Sequence, residues 1–209
     1  MLANNPALKQ QFIAEMEEFK AEALDNKKMA VQWEAQWEKF RQALGRALGI
    51  FSLTEDPANV LMWSHYASQS FGVVVEFDEK HPWFNQKTAP SDDIRHLVRV
   101  SYVENPHPRT WKQVNGTDML YTKGADWSYE REWRIIRPVQ GGTEVAAGIV
   151  CFDVPPDAIR SVIFGSRTTS ALEGEIRASV AAKSALGHVC FRRAKLVGSG
   201  KIEIVDAGP

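Results

Sequence analysis

Residues 127–136 read WSYEREWRII, and the assignment of this run decides what the rest of the chain can build. Aromatic and β-branched residues in near alternation predict a strand. Side chains on a strand alternate between faces, so Tyr129, Arg131, Trp133 and Ile135 share one face, and Glu130, Glu132, Arg134 and Ile136 the other. The first face carries the apolar bulk and is expected on the core. The second sets its two carboxylates about 7 Å apart, from the rise per residue, with a guanidinium next in line. Trp127 and Trp133 flank the run, and a covered carboxylate must be paired or must shift in pKa. Two outcomes follow. One is an ion-pair ladder, with Arg134 and Lys123 neutralising Glu130 and Glu132 at a sheet edge. The other is a polar cleft in which one glutamate polarises a substrate hydroxyl and the other acts as general base. Spacing alone does not separate them.

A second polar and aromatic set lies upstream, in FSLTEDPANVLMWSHYASQSFGVVVEFD (51–78). Asp56-Pro57 predicts a helix start, with the helix running to about Gln69. Met62 and Tyr66 then share a face, as do Leu61 and His65, and Trp63 neighbours Tyr66. His65 reads either as a core histidine bonded to a carbonyl or as a proton-transfer group. VVVEF predicts a short strand in which Glu76 is an edge residue or the partner of a buried base. The candidate catalytic groups are thus Glu130, Glu132, His65 and Lys123. The candidate substrate-binding residues are Trp63, Tyr66, Glu76, Tyr102, Trp127 and Arg134.

Outward from these segments, residues 6–48 predict a long or bent helix. Leu8, Phe12, Met16 and Phe19 recur at helical spacing, as do Trp33, Trp37, Phe40, Leu44 and Leu48, and Asn5-Pro6 is an N-terminal signal. LVRVSYV (97–103), GIVCFDV, SVIFG, HVCFRR and KIEIV predict strands, with a helix over 169–186. GSRTTS (165–170) reads as a cap for that helix or, alternatively, as an anion site at its N-terminus. Helices and strands mix without strict βαβ alternation. The predicted class is α+β, a mixed, mainly antiparallel sheet packed with helices. A helical N-terminal arm (1–49) precedes the core domain (50–209).

The 209 residues carry 25 Lys and Arg against 26 Asp and Glu, a net charge of −1, so no overall field draws the chain to nucleic acid. Cys151 and Cys190 sit in apolar runs and are expected as buried, reduced thiols. The five histidines are scattered and no metal-ligand spacing appears. The start MLANNPALKQQ has no apolar core of a signal peptide and no run is long enough to span a membrane, which makes the cytoplasm the expected compartment.

LMWSHYASQSFGVVVEFD, a strand ending in Tyr102, KGADWSYEREWRII and VPPDAIRSVIFGSR occur in an order that resembles the bacterial domain of unknown function 2971 family, over roughly residues 50–205. The resemblance implies a cytoplasmic bacterial protein without an assigned activity. Members usually begin with a short strand rich in Tyr and Arg, where this chain reads only as helix. Two functions from different classes are compatible with it. One is a binding or regulatory module in a defence or toxin setting, with a small-molecule or protein partner or a homodimer formed through the N-terminal helices. The other is an enzyme, because Glu130-Arg131-Glu132 is similar to the Glu-x-Glu of ADP-ribosyltransferases, which would make NAD the cofactor. The early Arg or His strand and the Ser-Thr-Ser strand of those enzymes do not appear.

Overall fold

The computed structural model describes residues 29–106 and 117–208. Helix α1 (Met29–Ala47) leads directly into strand β1 (Leu48–Thr54). Helix α2 (Val60–Tyr66) follows, then strands β2 (Val73–Phe77), β3 (Val98–Arg99), β4 (Ser101–Val103), β5 (Thr122–Gly124) and β6 (Glu132–Pro138). The remainder is the ribbon β7 (Thr143–Ala146) and β8 (Ile149–Cys151), strand β9 (Ile159–Phe164), helix α3 (Ser170–Ala181), and strands β10 (Cys190–Val197) and β11 (Lys201–Asp206). The fold is α+β with mainly antiparallel pairing.

Two sheets matter for the site. The smaller has the order β1-β6-β3 and is antiparallel throughout. The larger has the order β11-β10-β9-β2, in which β9 and β10 are parallel and joined across α3. Strand β9 is buried on both faces because each is covered by a helix. On one face Ile163 packs with Trp63 and Ala67 of the α2 segment and with Ala194 and Ile202. On the other, Val162 and Phe164 pack with Ile176 and Val180 of α3. That double cover explains the unbroken apolar run SVIF. A third cluster, Trp83, Phe84, Ile135 and Ala158 with Leu53 and Phe77, joins the two sheets.

Several elements differ from the sequence expectation. WSYEREWRII is not one strand. Residues Ala125–Glu130 form a 3-10 helix that stops at Arg131, whose φ of 46° is left-handed, and the strand begins only at Glu132. The expected alternation therefore holds from Glu132 onward and does not reach Glu130. Strand β1 begins inside the stretch read as helical. The predicted features on residues 1–28, including the Asn5-Pro6 start, lie outside the described residues. Cys151 and Cys190 are free and exposed rather than buried. Cys151 ends a two-stranded ribbon, and of its apolar run it is Phe152 and Val154 that pack on the core.

Helix α2 ends at Tyr66, short of Gln69, because Ser68, Gln69 and Ser70 take φ values of 48°, 54° and 67°. Three such non-glycine residues cost roughly 1–2 kcal/mol each, so surrounding bonds must hold them. Ser70 N–H donates to the Trp63 carbonyl at 3.1 Å, and the Ser70 carbonyl accepts from Arg167 N–H at 3.0 Å. Gly165 passes so close that a Cβ there would overlap the Ser70 carbonyl. Gly165→Ala is expected to lower stability by about 1–3 kcal/mol, the cost of overpacking, read from the urea midpoint. Gly174→Ala, inside α3 with nothing within 4 Å, is expected to raise it by roughly 0.5–1 kcal/mol. Equal effects at both glycines would remove the clamp from the account.

Candidate functional site

A cleft of about 870 Å³ opens where β1 and β2 lie across from each other, with α2 along its side. Phe51, Leu53, Met62, Trp63, Val73, Val75 and Phe77 give it mostly apolar walls, and Tyr66, Lys123, Glu130 and Glu132 form a polar end.

The polar end is assembled by the chain segments around it. Asn59 caps α2, its Oδ1 accepting from Leu61 N–H at 2.9 Å, and its Nδ2 donates to the Tyr129 carbonyl at 2.7 Å. Thr54 Oγ1 donates to the Glu130 carbonyl at 2.7 Å. Those two bonds pin the 3-10 turn that delivers Glu130 beneath α2. Strand β6 delivers Glu132, whose N–H donates to the Tyr102 hydroxyl at 2.8 Å. Parallel pairing of β5 with β4 sets Lys123 beside Tyr102 in register.

The Lys123 ammonium bridges the two glutamates. It donates to Glu130 Oε2, and to Glu132 Oε2 at 3.2 Å. Arg134 grips Glu132 with both prongs, Nε to Oε1 at 2.8 Å and Nη2 to Oε2 at 3.0 Å. The Tyr66 hydroxyl donates to Glu130 Oε1 at 2.8 Å. Every carboxylate oxygen thus has a donor. Glu130 and Glu132 are buried, at 2% and 5% exposure, which a charge tolerates only when paired in this way.

The electrostatics follow from the pairing. Burial alone would raise the Glu132 carboxyl, but the bonds from Arg134 and Ser52 and the charges of Arg134 and Lys123 outweigh it and hold it below the ordinary value. Burial would likewise lower the Lys123 ammonium, but the Glu130 and Glu132 carboxylates hold it above the ordinary lysine value. The bond to Glu130 pushes the Tyr66 phenol up, and burial pushes the Tyr102 phenol up.

The other sequence candidates are spread around this centre. Trp63 is core, its Nε1 donating to the Pro57 carbonyl at 2.7 Å while one side lines the cleft. Glu76 lies on the cleft wall at an outer strand, accepting from Ser161 Oγ and from Arg192 at 3.4 Å. Trp127 is exposed and stacks under the Lys123 ammonium at 5.0 Å. Arg134 and Tyr102 serve the centre from behind Glu132. His65 is exposed, near the Tyr66 and Tyr129 rings at 6.4 Å each, and does not line the cleft. In GSRTTS, Thr169 caps α3 by accepting from Leu172 N–H at 3.2 Å. Sequence reasoning missed Ser52, Thr54 and Asn59. Asn59 is legible in hindsight as a cap before VLMW, whereas Thr54 acts through a contact 76 residues away in sequence.

Residues 62–135 match the model of a family described as a protein of unknown function (DUF2971). The match takes in MWSHY, Tyr102 and EREWR, so the resemblance holds over the segments that build the polar end. It is narrower than the 50–205 span suggested by the motifs, and VPPDAIRSVIFGSR lies beyond it. No curated protein and no solved structure matches the chain.

Lys123→Met would leave Glu132 with Arg134 alone and the buried Glu130 with the Tyr66 hydroxyl and no cation. It is expected to cost about 3 kcal/mol near neutral pH, the low end for breaking a buried pair. In the wild type, the depressed Glu132 adds stability that is full above its ordinary value of 4.5 and is lost as pH falls through the lower folded value. The raised Lys123 adds stability that is full below 10.5 and is lost as pH rises through the higher folded value. Urea titrations of both proteins should give a difference that is flat between these limits and shrinks below the lower one. A difference that grows on acidification would contradict the pairing.

Proposed function

We propose that the protein is a non-catalytic binding module whose cleft between β1 and β2 takes a ligand with an apolar body, its polar end set against Tyr66 and Lys123. The observation that carries this reading is the saturation of the charges at the cleft's polar end. A general base needs a pKa near the working pH and a free lone pair. Here Glu132 is held low, Lys123 is held high, and each carboxylate oxygen is already bonded. A largely apolar cleft with a few convergent polar groups is what small-ligand recognition requires. A regulatory role in a bacterial cytoplasm, in a defence or toxin setting, is the expectation that the family resemblance adds.

A second reading has one observation in its favour: Glu130 and Glu132 line the same cleft, as a Glu-x-Glu transferase site would require. NAD would then be the cofactor, and one glutamate would have to leave Lys123 to meet a ribose hydroxyl.

Two measurements separate the readings. Wild-type protein incubated with labelled NAD and cell extract is expected to transfer no label, with Glu132→Gln indistinguishable from it. Ligand-observed NMR with indole and 4-phenylbutanol is expected to show saturable binding that Met62→Trp, which fills the cleft, removes. Label transfer lost in Glu132→Gln would overturn the module in favour of the transferase. Absence of saturable binding of either neutral probe would overturn the cleft as a ligand site.

A further inference from the structure

The cleft is bordered by strand edges rather than by sheet faces. A strand that shows a face to a cavity contributes alternate residues, because its side chains alternate. Here β1 contributes Phe51, Ser52, Leu53 and Thr54 in succession, and β2 contributes Val73 through Phe77 in succession. Among the described residues both are outermost strands: β1 pairs only with β6, and β2 only with β9.

Ladder alternation identifies the free main-chain groups. Gly165 N–H donates to the Gly72 carbonyl, so along the antiparallel pair Val74 and Glu76 direct their amides at β9. Val73 and Val75 direct theirs away, toward the cleft. On the other sheet, the Glu132 carbonyl accepts from Val100 N–H, and the Ile136 carbonyl from Arg95 N–H, on the β3 side. The β6 residues facing β1 are therefore Trp133 and Ile135, opposite Leu53 and Phe51. Ser52 and Thr54 are left with amides turned outward. Two edges unpaired among the described residues thus border one apolar cleft, bridged where Phe51 and Phe77 meet edge to face with centroids 6.0 Å apart. Unpaired edges are templates for an added strand.

Charge selects the occupant. Among the described residues, Glu55, Asp56, Glu76, Glu79, Glu130 and Glu132 line the cleft against Lys123 alone. Lys123 and Arg134 neutralise the innermost pair. Of the remaining four, Glu55 and Glu76 have single arginine partners at 3.1 and 3.4 Å, Asp56 has one at 3.8 Å, and Glu79 has none among the described residues. The rim thus sets four carboxylates against three arginines, a net negative balance that favours a cationic guest.

Resting on the binding-module reading, we propose that the cleft between β1 and β2 binds an extended peptide segment of a partner protein, alternating apolar and basic residues, as an added strand. Five residues of β2 span about 17 Å at the usual strand rise, which sets the bound length at five or six residues. Main-chain bonds to the edges supply register, the apolar walls take alternate side chains, and lysines or arginines meet Glu55, Glu76 and Glu79.

The test is fluorescence anisotropy of the full chain with a labelled heptapeptide of alternating Lys and Val, blocked at both ends. Binding is expected, weakened roughly tenfold or more, the equivalent of about 1.4 kcal/mol, by N-methylation of alternate peptide amides. A Glu-Val heptapeptide should not bind. Val75→Pro removes a free edge amide and no bond to β9, a substitution that edge strands accept, and it should weaken binding to a similar degree. If that variant fails to fold, the N-methylated peptide on wild-type protein still decides. Equal binding of parent and N-methylated peptides, or no binding of the Lys-Val peptide, would overturn the strand reading. Neutral-probe binding in the NMR experiment would in that case remain, so the two failures are distinguishable. Self-association in sedimentation that Val75→Pro abolishes would assign the edges to a second copy and also overturn the proposal.

Discussion

The structure depends on one ammonium group placed between two carboxylates. Taking an ionised carboxylate out of water costs several kcal/mol even after relaxation, and this chain does so at both Glu130 and Glu132. Lys123 and Arg134 make that burial tolerable, and the consequence is spatial as well as energetic. The bonds tie β5 to β6 and to the 3-10 turn at Ala125–Glu130, and through the Tyr66 hydroxyl to α2. The polar end is therefore held by charge and by donor geometry, whereas the opposite wall of the cleft is held by the packing of Trp63, Ile163 and Ala194.

The division between charge and packing explains why the cleft stays open. Strands β1 and β2 each complete a sheet, and the aromatic cluster of Trp83, Phe84 and Phe77 joins those sheets where β2 ends. Bringing the edges together to pair would move β1, and with it Thr54 from the Glu130 carbonyl. Loss of that bond would loosen the turn on which the buried charges depend. On the other side, β2 is anchored by the left-handed turn at Ser68–Ser70 and its clamp at Gly165. Each edge is thus fixed by something other than its neighbour across the gap.

Much of this was legible in the sequence, for identifiable reasons. The unbroken SVIFG run, the alternating KIEIV and the Thr169 cap are local signals, and each produced the element it announced. The pairing of Glu130 and Glu132 with Lys123 and Arg134 was also anticipated, but by a wrong route, and His65, grouped with them, stays outside the cleft. Strand parity put both glutamates on one face, whereas the left-handed Arg131 between them breaks the strand, and Lys123 restores the convergence. A single backbone inversion leaves no mark in a pattern of hydrophobicity. Strand β1 was illegible for a different reason: LGIFSLT follows a helix without a strong stop, and it is a strand only because β6 lies beside it. The exposure of Cys151 has the same origin, since nothing in IVCFDV says whether a layer covers it.

The same charges bear on function in a way their residue types do not suggest. A glutamate pair beside a lysine has the composition of an acid-base site, and composition alone would favour chemistry. Catalysis, however, requires at least one group poised to exchange a proton near the working pH. Mutual pairing moves these groups the other way, with the acid held further toward its anion and the lysine further toward its cation. Tyr66 does not supply the missing base, because its proton is committed to Glu130 and its phenol is pushed up. What the network leaves unspent lies along the strand edges, where the amides of Ser52, Thr54, Val73 and Val75 face an apolar space. On the proposed reading, recognition in this cleft falls to the main chain and to shape, with the buried charges keeping that shape.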